Sequence, residues 1–348
     1  MDEQGTSNGS GLSRRDFLKT AAAGAVGAAV VSVLGACATP VWNADENFLL
    51  EDYLTLVKKT GEDFRILQLA DTQLNGIKKE MQRTFEIISR AIAKTRPHLL
   101  VLTGDNVEGL NNRDWGRRLI EFLDGFGIPY AMVMGNHDGE GIYDNSKMGE
   151  IYGSGAYSLF RPGLPSIHGT GNYVVNITGE AGDVLYALAM IDSNRYRLGG
   201  KGYDYIYPDQ IAWYKWYIEE LSAAQYGPES GRMVKSMAFF HIPLPEVNDV
   251  RDLLKVQDPV AEAYAYWETP SPPAQNTGMF QQMLALGSTT HLFFGHDHLN
   301  LLDYGYQGIH FVYGLKTGPC SYYNEKRQGT TLITVRDDLS VGVEFLFD

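Results

Sequence analysis

Five short apolar runs of this sequence each break off into a cluster of side chains that carry ligand oxygen or nitrogen. Phe64-Arg65-Ile66-Leu67-Gln68-Leu69-Ala70 leads into Asp71-Thr72-Gln73, and His98-Leu99-Leu100-Val101-Leu102-Thr103 into Gly104-Asp105-Asn106. Tyr130-Ala131-Met132-Val133-Met134 leads into Gly135-Asn136-His137-Asp138. Further along, the run from Val234 to Phe240 reaches His241, and His291 to Phe294 reaches Gly295-His296-Asp297-His298. One Asp after a strand is ordinary turn chemistry, and one His is usually packing; five such endings are not explained that way. In open α/β sheets, sites form at the carboxyl ends of parallel strands, so the clusters are expected to converge in space.

Between the first three runs, the Lys79–Lys94 and Trp115–Phe126 stretches have apolar residues at helical spacing. Strand, helix, strand, helix, strand predicts parallel strands joined by right-handed crossovers. Further strands are expected at Tyr173–Thr178, Val184–Ile191, Ile309–Tyr313, Thr330–Val335 and Val341–Phe347. A helix is expected to open at Pro208-Asp209-Gln210, with Ile211, Tyr214, Tyr217, Ile218 and Leu221 on one face; its Trp213 and Trp216 read as packing. The stretch of Tyr264, Tyr266, Trp267, Pro270, Pro272 and Pro273 reads as a long loop. Arg195 and Lys316 each follow a strand candidate, where a positive group could hold a substrate oxyanion or form a surface ion pair. His98, His168, His291 and His310 fall outside the clusters and read as packing or surface residues.

The amino-terminal residues are an address rather than a fold element. Ser13-Arg14-Arg15-Asp16-Phe17-Leu18-Lys19 resembles the twin-arginine export signal and precedes an Ala, Gly and Val run from Ala21 to Val33. Leu34-Gly35-Ala36-Cys37 resembles the bacterial lipobox, which implies an acylated Cys37 at the mature N-terminus, anchored to the membrane of the cell envelope. The expected division is therefore a signal at 1–36, a tether at 37–62 and a single catalytic domain at 63–348. With Cys37 lipidated, Cys320 has no partner for an intramolecular disulfide, and its neighbours Pro319 and Tyr322 supply no basic group to activate it. A formal net charge of −13, with no Lys/Arg cluster, argues against binding to a nucleic-acid backbone.

In order, the five clusters resemble the pattern of the calcineurin-like metallophosphoesterases: DxH, GD, GNH with a following acid, a separate His, and GHxH. Phe239-Phe240-His241-Ile242-Pro243-Leu244-Pro245-Glu246 is further similar to the subgroup related to purple acid phosphatases and yeast-type phosphoprotein phosphatases. The resemblance implies an α/β fold of two mixed β-sheets packed face to face with flanking helices, a four-layer sandwich. It implies two divalent or trivalent metal ions (Fe, Mn or Zn), bridged by Asp105, one held by Asn136, His241 and His296 and the other by Asp71 and His298. Gln73 stands where the family has a histidine, so either its amide oxygen or Glu108 is expected to complete that second set. Glu108 occupies the position of the purple enzymes' tyrosine, so no tyrosinate colour is implied, and an oxygen-rich site favours iron or manganese.

The implied reaction is hydrolysis of a phosphate ester, most simply a phosphomonoester of a small molecule or a phosphoprotein, by a metal-bound hydroxide. Asn136 and His137 would contact the phosphoryl group. His137 would act as proton donor, with Asp138 orienting its ring. A phosphodiesterase or nucleotidase could use the same site. A metal-binding surface lipoprotein without catalysis is the reading from another class.

Overall fold

The computed structural model describes residues 54–348 except 198 and 200, so the signal and Cys37 lie outside it. Two mixed sheets form the body of the molecule. The smaller has the order β12-β11-β2-β3-β4, where β2 (Phe64–Leu69), β3 (Leu99–Thr103) and β4 (Tyr130–Val133) are parallel. β11 (Gly329–Val335) runs antiparallel to both β2 and β12 (Val341–Phe347). The larger has the order β1-β5-β6-β7-β8-β10-β9. Its central strands β6 (Val184–Met190), β7 (Ser236–Phe239), β8 (Thr289–Phe294) and β10 (Ile309–Tyr313) are parallel, while β5 (Tyr173–Thr178) and β9 (Leu302–Tyr306) pair antiparallel.

The period of two along the strands explains the layering. Leu188, Met190, Met237, Phe239, Phe293 and Val312 belong to the core that also contains the small sheet's Leu67, Leu100 and Leu102. Their neighbours Ala187, Ala189, Ala238, Leu292, Phe294 and Phe311 belong to a second core, beneath helices α4 (Pro208–Tyr226), α5 (Val247–Gln257) and α7 (Met279–Leu286). Both faces of the central strands are thus covered, which is why they read as continuous apolar runs rather than alternating ones. Helices α1 (Lys78–Thr95) and α2 (Asn112–Asp124) supply Ile88, Ile92, Leu119 and Leu123 to the first core. Trp213, 2% exposed, packs in the second core as its spacing predicts. No described helix is long and apolar enough to cross a membrane.

Two elements differ from expectation. The last part of the expected tether forms β1 (Leu54–Val57), paired parallel to β5, and Leu54 and Leu56 pack against the first core. Four residues whose side chains alternate between core and solvent give too short a pattern to stand out in sequence. β9 was hidden for the same reason, alternating along Leu302–Tyr306. A tight hairpin joins it to β10 through Gln307 and Gly308, both at positive φ.

Candidate metal centre

Each cluster follows the carboxyl end of a strand, and the chain must turn sharply there to aim a side chain back across the sheet. Asp71 (φ 53°), Gln73 (φ 41°), Asp105 (φ 47°) and His296 (φ 77°) all adopt left-handed backbone, which costs non-glycine residues and is concentrated at functional sites. Neighbouring glycines make room. A Cβ on Gly135 would lie 2.2 Å from Asp105 Oδ1, and one on Gly295 would lie 2.3 Å from Asp71 Oδ2. The glycines of these two clusters are therefore close-approach residues rather than turn formers.

The side chains then meet. His241 Nε2 lies 3.2 Å from Asp105 Oδ2, His296 Nδ1 lies 3.3 Å from His241 Nε2, and His298 Nε2 lies 3.4 Å from Asp71 Oδ1. Asp71, Asp105 and His241 place ligand atoms within 4.8 Å of one another, all buried. Backbone partners fix the histidine tautomers. Nδ1 of His241 donates to Thr103 O at 2.9 Å, and Nδ1 of His298 donates to Tyr322 O at 2.8 Å, so each neutral ring turns its Nε2 lone pair to the centre. The Asn136 amide donates to the Tyr196 hydroxyl at 3.0 Å, while its Oδ1 is buried with no partner in the protein.

Burial alone would raise both carboxyl groups. The bond and charge of His298 at Asp71, and the charge and bond of His241 at Asp105, outweigh it and hold both below the usual range. Burial likewise opposes charge on His241, but Asp105 and Asp71 push the ring up to about 9. The carboxylates draw a proton onto this ring, and a metal ion binding there would release it. Unsatisfied Asn136 Oδ1, facing ring nitrogens and the Asp105 carboxylate fit a divalent cation at this position.

The other position does not fit in the same way. Lys316 is 2% exposed and its ammonium donates to Asp71 O at 2.9 Å and to Gln73 Oε1 at 2.5 Å. An ammonium has no acceptor, so the amide oxygen must face it, which leaves the Gln73 NH2 as a buried donor without a partner. A donor cannot ligate a cation. Two unit charges 4 Å apart at an effective dielectric of 20 repel by about 4 kcal/mol, and a dication sharing the amide oxygen doubles this. Glu108, the other candidate, accepts from Asn75 Nδ2 at 3.2 Å, and its charge acts on Lys316 together with those of Asp71 and Asp105.

Several roles change. Asp138 does not orient His137. It is buried, accepts from the backbone N–H groups of Asn106 (3.0 Å), Val107 (3.2 Å) and Gly135 (2.7 Å) and from the Tyr152 hydroxyl, and so ties two strand-end loops together. Burial and the nearby Asp105 push its carboxyl up to about 6. The His137 ring is held by Glu140, whose Oε2 lies 2.6 Å from Nδ1, and its Nε2 lies 3.9 Å from Asp105 Oδ2. Burial opposes charge on His137, yet Asp105 and Glu140 raise its pKa.

Arg195 donates to Asn136 O at 3.0 Å and Gly139 O at 2.8 Å, bracing the 136–139 loop, and Lys316 faces protein oxygens. Both were expected as substrate contacts, and both face the protein because loop carbonyls there need donors. Glu140, Tyr196 and Tyr152 carried no signal in sequence. Tyr203 meets His296 edge-on at 4.4 Å, and Tyr322 stacks on His298 at 4.1 Å, giving the site aromatic walls. Cys320 is buried and unpaired, its thiol pushed up to about 12 by burial, consistent with a structural role.

Comparison with known proteins matches residues 64–300 to the calcineurin-like phosphoesterase family and residues 11–31 to the twin-arginine translocation pathway signal sequence. A protein of Arabidopsis thaliana named probable inactive purple acid phosphatase 29 is 29% identical over 283 residues, which are 72% of this chain and 71% of that protein. Phosphatase DCR2 of Saccharomyces cerevisiae is 30% identical over 263 residues, 68% of this chain and 44% of its own length. The crystal structure of a dimetal phosphatase from Danio rerio shares the fold, with a TM-score of 0.51 at 12% identity, covering 82% of this chain and 99% of that one.

Proposed function

The chain belongs to the calcineurin-like phosphoesterase family and carries a twin-arginine export signal, and from that premise we propose that it hydrolyses phosphomonoesters in the cell envelope. The observation that carries this reading is the meeting of Asp105, His241 and His137 around one carboxylate oxygen, with Asn136 Oδ1 buried and unsatisfied beside them. Asp105, Asn136, His241 and His296 would hold a metal ion. Such an ion supplies Lewis acidity to a phosphoryl oxygen and acidifies a water near neutral pH.

The remaining steps belong to the protein. Tyr196 takes one amide proton of Asn136 and keeps the amide oxygen turned inward. His137, protonated against Glu140, donates from Nε2 to the leaving oxygen. Tyr203 and Tyr322 wall the site and limit access of bulk water, which strengthens electrostatic contacts within it. The buried Cys320 thiol offers no nucleophile, so direct attack by water is favoured over a cysteinyl intermediate.

The test is turnover of p-nitrophenyl phosphate and its bis-aryl diester with manganese, iron or zinc, in the wild type and in His137→Ala and Asn136→Ala. Turnover of the monoester, lost in both variants, is expected. Preference for the diester would reassign the enzyme as a phosphodiesterase. No turnover with any metal in folded protein would reject catalysis and leave a metal-binding lipoprotein, a reading that the lysine-occupied half of the centre favours. We also propose that Cys37 is acylated and anchors the protein to the membrane; Cys37→Ala should then release it into the soluble envelope fraction, and continued membrane association would reject the anchor.

A further inference from the structure

Lys316 is placed as firmly as any ligand in the centre. Its backbone bridges Ala70 at the end of β2, and the neighbouring Thr317 donates its N–H to Ala70 O at 2.8 Å and accepts from Ala70 N at 3.1 Å through its hydroxyl. The side chain is thereby delivered beneath the Asp71–Gln73 turn, where its two hydrogen bonds hold the turn from Asp71 O and Gln73 Oε1. Gln73 is itself fixed by its backbone N–H to Asp105 O at 2.8 Å. The position next to Asp71 that lacks a histidine thus contains a positive charge already. Both residues that could have completed a metal site there turn to other partners, Gln73 to the ammonium and Glu108 to Asn75.

The two metal-facing groups that remain are engaged with each other. Asp71 accepts from the His296 N–H through both oxygens, at 3.2 and 3.1 Å, and faces His298 Nε2 at 3.4 Å. A carboxylate bonded in this way orients the histidine of the complete ligand set. We propose that the Lys316 ammonium supplies the charge that a first metal would supply, so that this chain holds a single metal ion, between Asp105, Asn136, His241 and His296. The inference rests on the phosphoesterase reading above and narrows it to a centre of one metal and one lysine. Asp71 and Gln73 then act as positioning residues, and His298 as the partner of Asp71.

The full chain loaded with Mn(II) tests this by elemental analysis after gel filtration and by electron paramagnetic resonance. The wild type is expected to retain a single equivalent with the hyperfine pattern of an isolated ion. Any second ion should bind at least about 100-fold more weakly, because a buried ammonium shares its oxygen. The double variant Gln73→His, Lys316→Met restores an imidazole and removes the charge, and is expected to take up a second equivalent and show an exchange-coupled spectrum. Two equivalents of similar affinity in the wild type, with a coupled spectrum, would overturn the proposal, and so would a double variant that folds and still retains only one. Should the double variant fail to fold, the wild-type stoichiometry and spectrum decide alone. Metal retention is read separately from turnover: one ion without turnover would reject catalysis and keep the single-metal centre, whereas no retained metal would reject both.

Discussion

Asp105, Asn136, His241 and His296 on one side of the centre, and Asp71, Gln73, His298 and Lys316 on the other, are delivered by the same device: a strand end, a sharp turn and a buried polar side chain. On the first side the unsatisfied atoms that can be assigned a role are acceptors, Asn136 Oδ1 above all, and facing lone pairs call for a cation. On the second, the leftover polar atom is the Gln73 NH2, a donor, and the cation is covalently part of the chain. Similar geometry therefore does not guarantee similar chemistry. The sign of the unsatisfied group decides what can bind.

The contrast is broken most directly by Asp105→Asn, which removes charge from the complete set. Turnover and retained metal are expected to fall together by about 10³-fold or more, roughly 4 kcal/mol of transition-state stabilisation. Asp71→Asn should cost no more than about 100-fold and leave a metal bound, as expected for a group that orients a ligand. Equal losses in the two variants would mean the halves are equivalent. His137→Ala is expected to lower kcat by about 10³-fold with little change in metal content, the signature of a proton donor outside the ligand set.

Smaller effects sharpen the assignment of supporting residues. Tyr196→Phe frees the Asn136 amide and should weaken metal affinity about 10-fold, measured by competition with a chelator. Glu140→Gln should change the maximal rate only a few-fold but move the alkaline limb of the pH–rate profile. The sign follows from the raised pKa of His137, to which Glu140 contributes. The donating form exists below that pKa, activity falls as pH rises through it, and removing the Glu140 charge moves the fall to lower pH. An unmoved limb would return the orienting role to another group.

The five strand-end clusters were legible because they depend on local pattern: an apolar run of strand length, then a break into ligand residues. The mixed two-sheet fold followed from the family resemblance those clusters carry, while the parallel strands β2, β3 and β4 could be read from strand and helix alternation alone. β1 was lost because four alternating residues resemble a tether. Glu140, Tyr196 and Tyr152 were lost because nothing in a residue's own neighbourhood tells which distant polar group it will satisfy. Asp138 shows the point most clearly. Its place after His137 suggested an orienting acid, but burial turned it toward three backbone N–H groups and a tyrosine on α3 (Asn145–Tyr152).

By itself the sequence determined where the ligands stand along the chain, and Asp105, Asn136, His241, His296 and His298 do converge at the carboxyl ends of the two sheets, because strand period and strand ends are local properties. Only the tertiary structure decided the fate of Gln73. Lys316 lies 243 residues away, and the strand order that sets the end of β10 beside the end of β2 brings its donor-only ammonium to the amide oxygen. A single hydrogen bond of fixed polarity thus settles which face of Gln73 meets the centre, and no spacing rule along the chain contains that information.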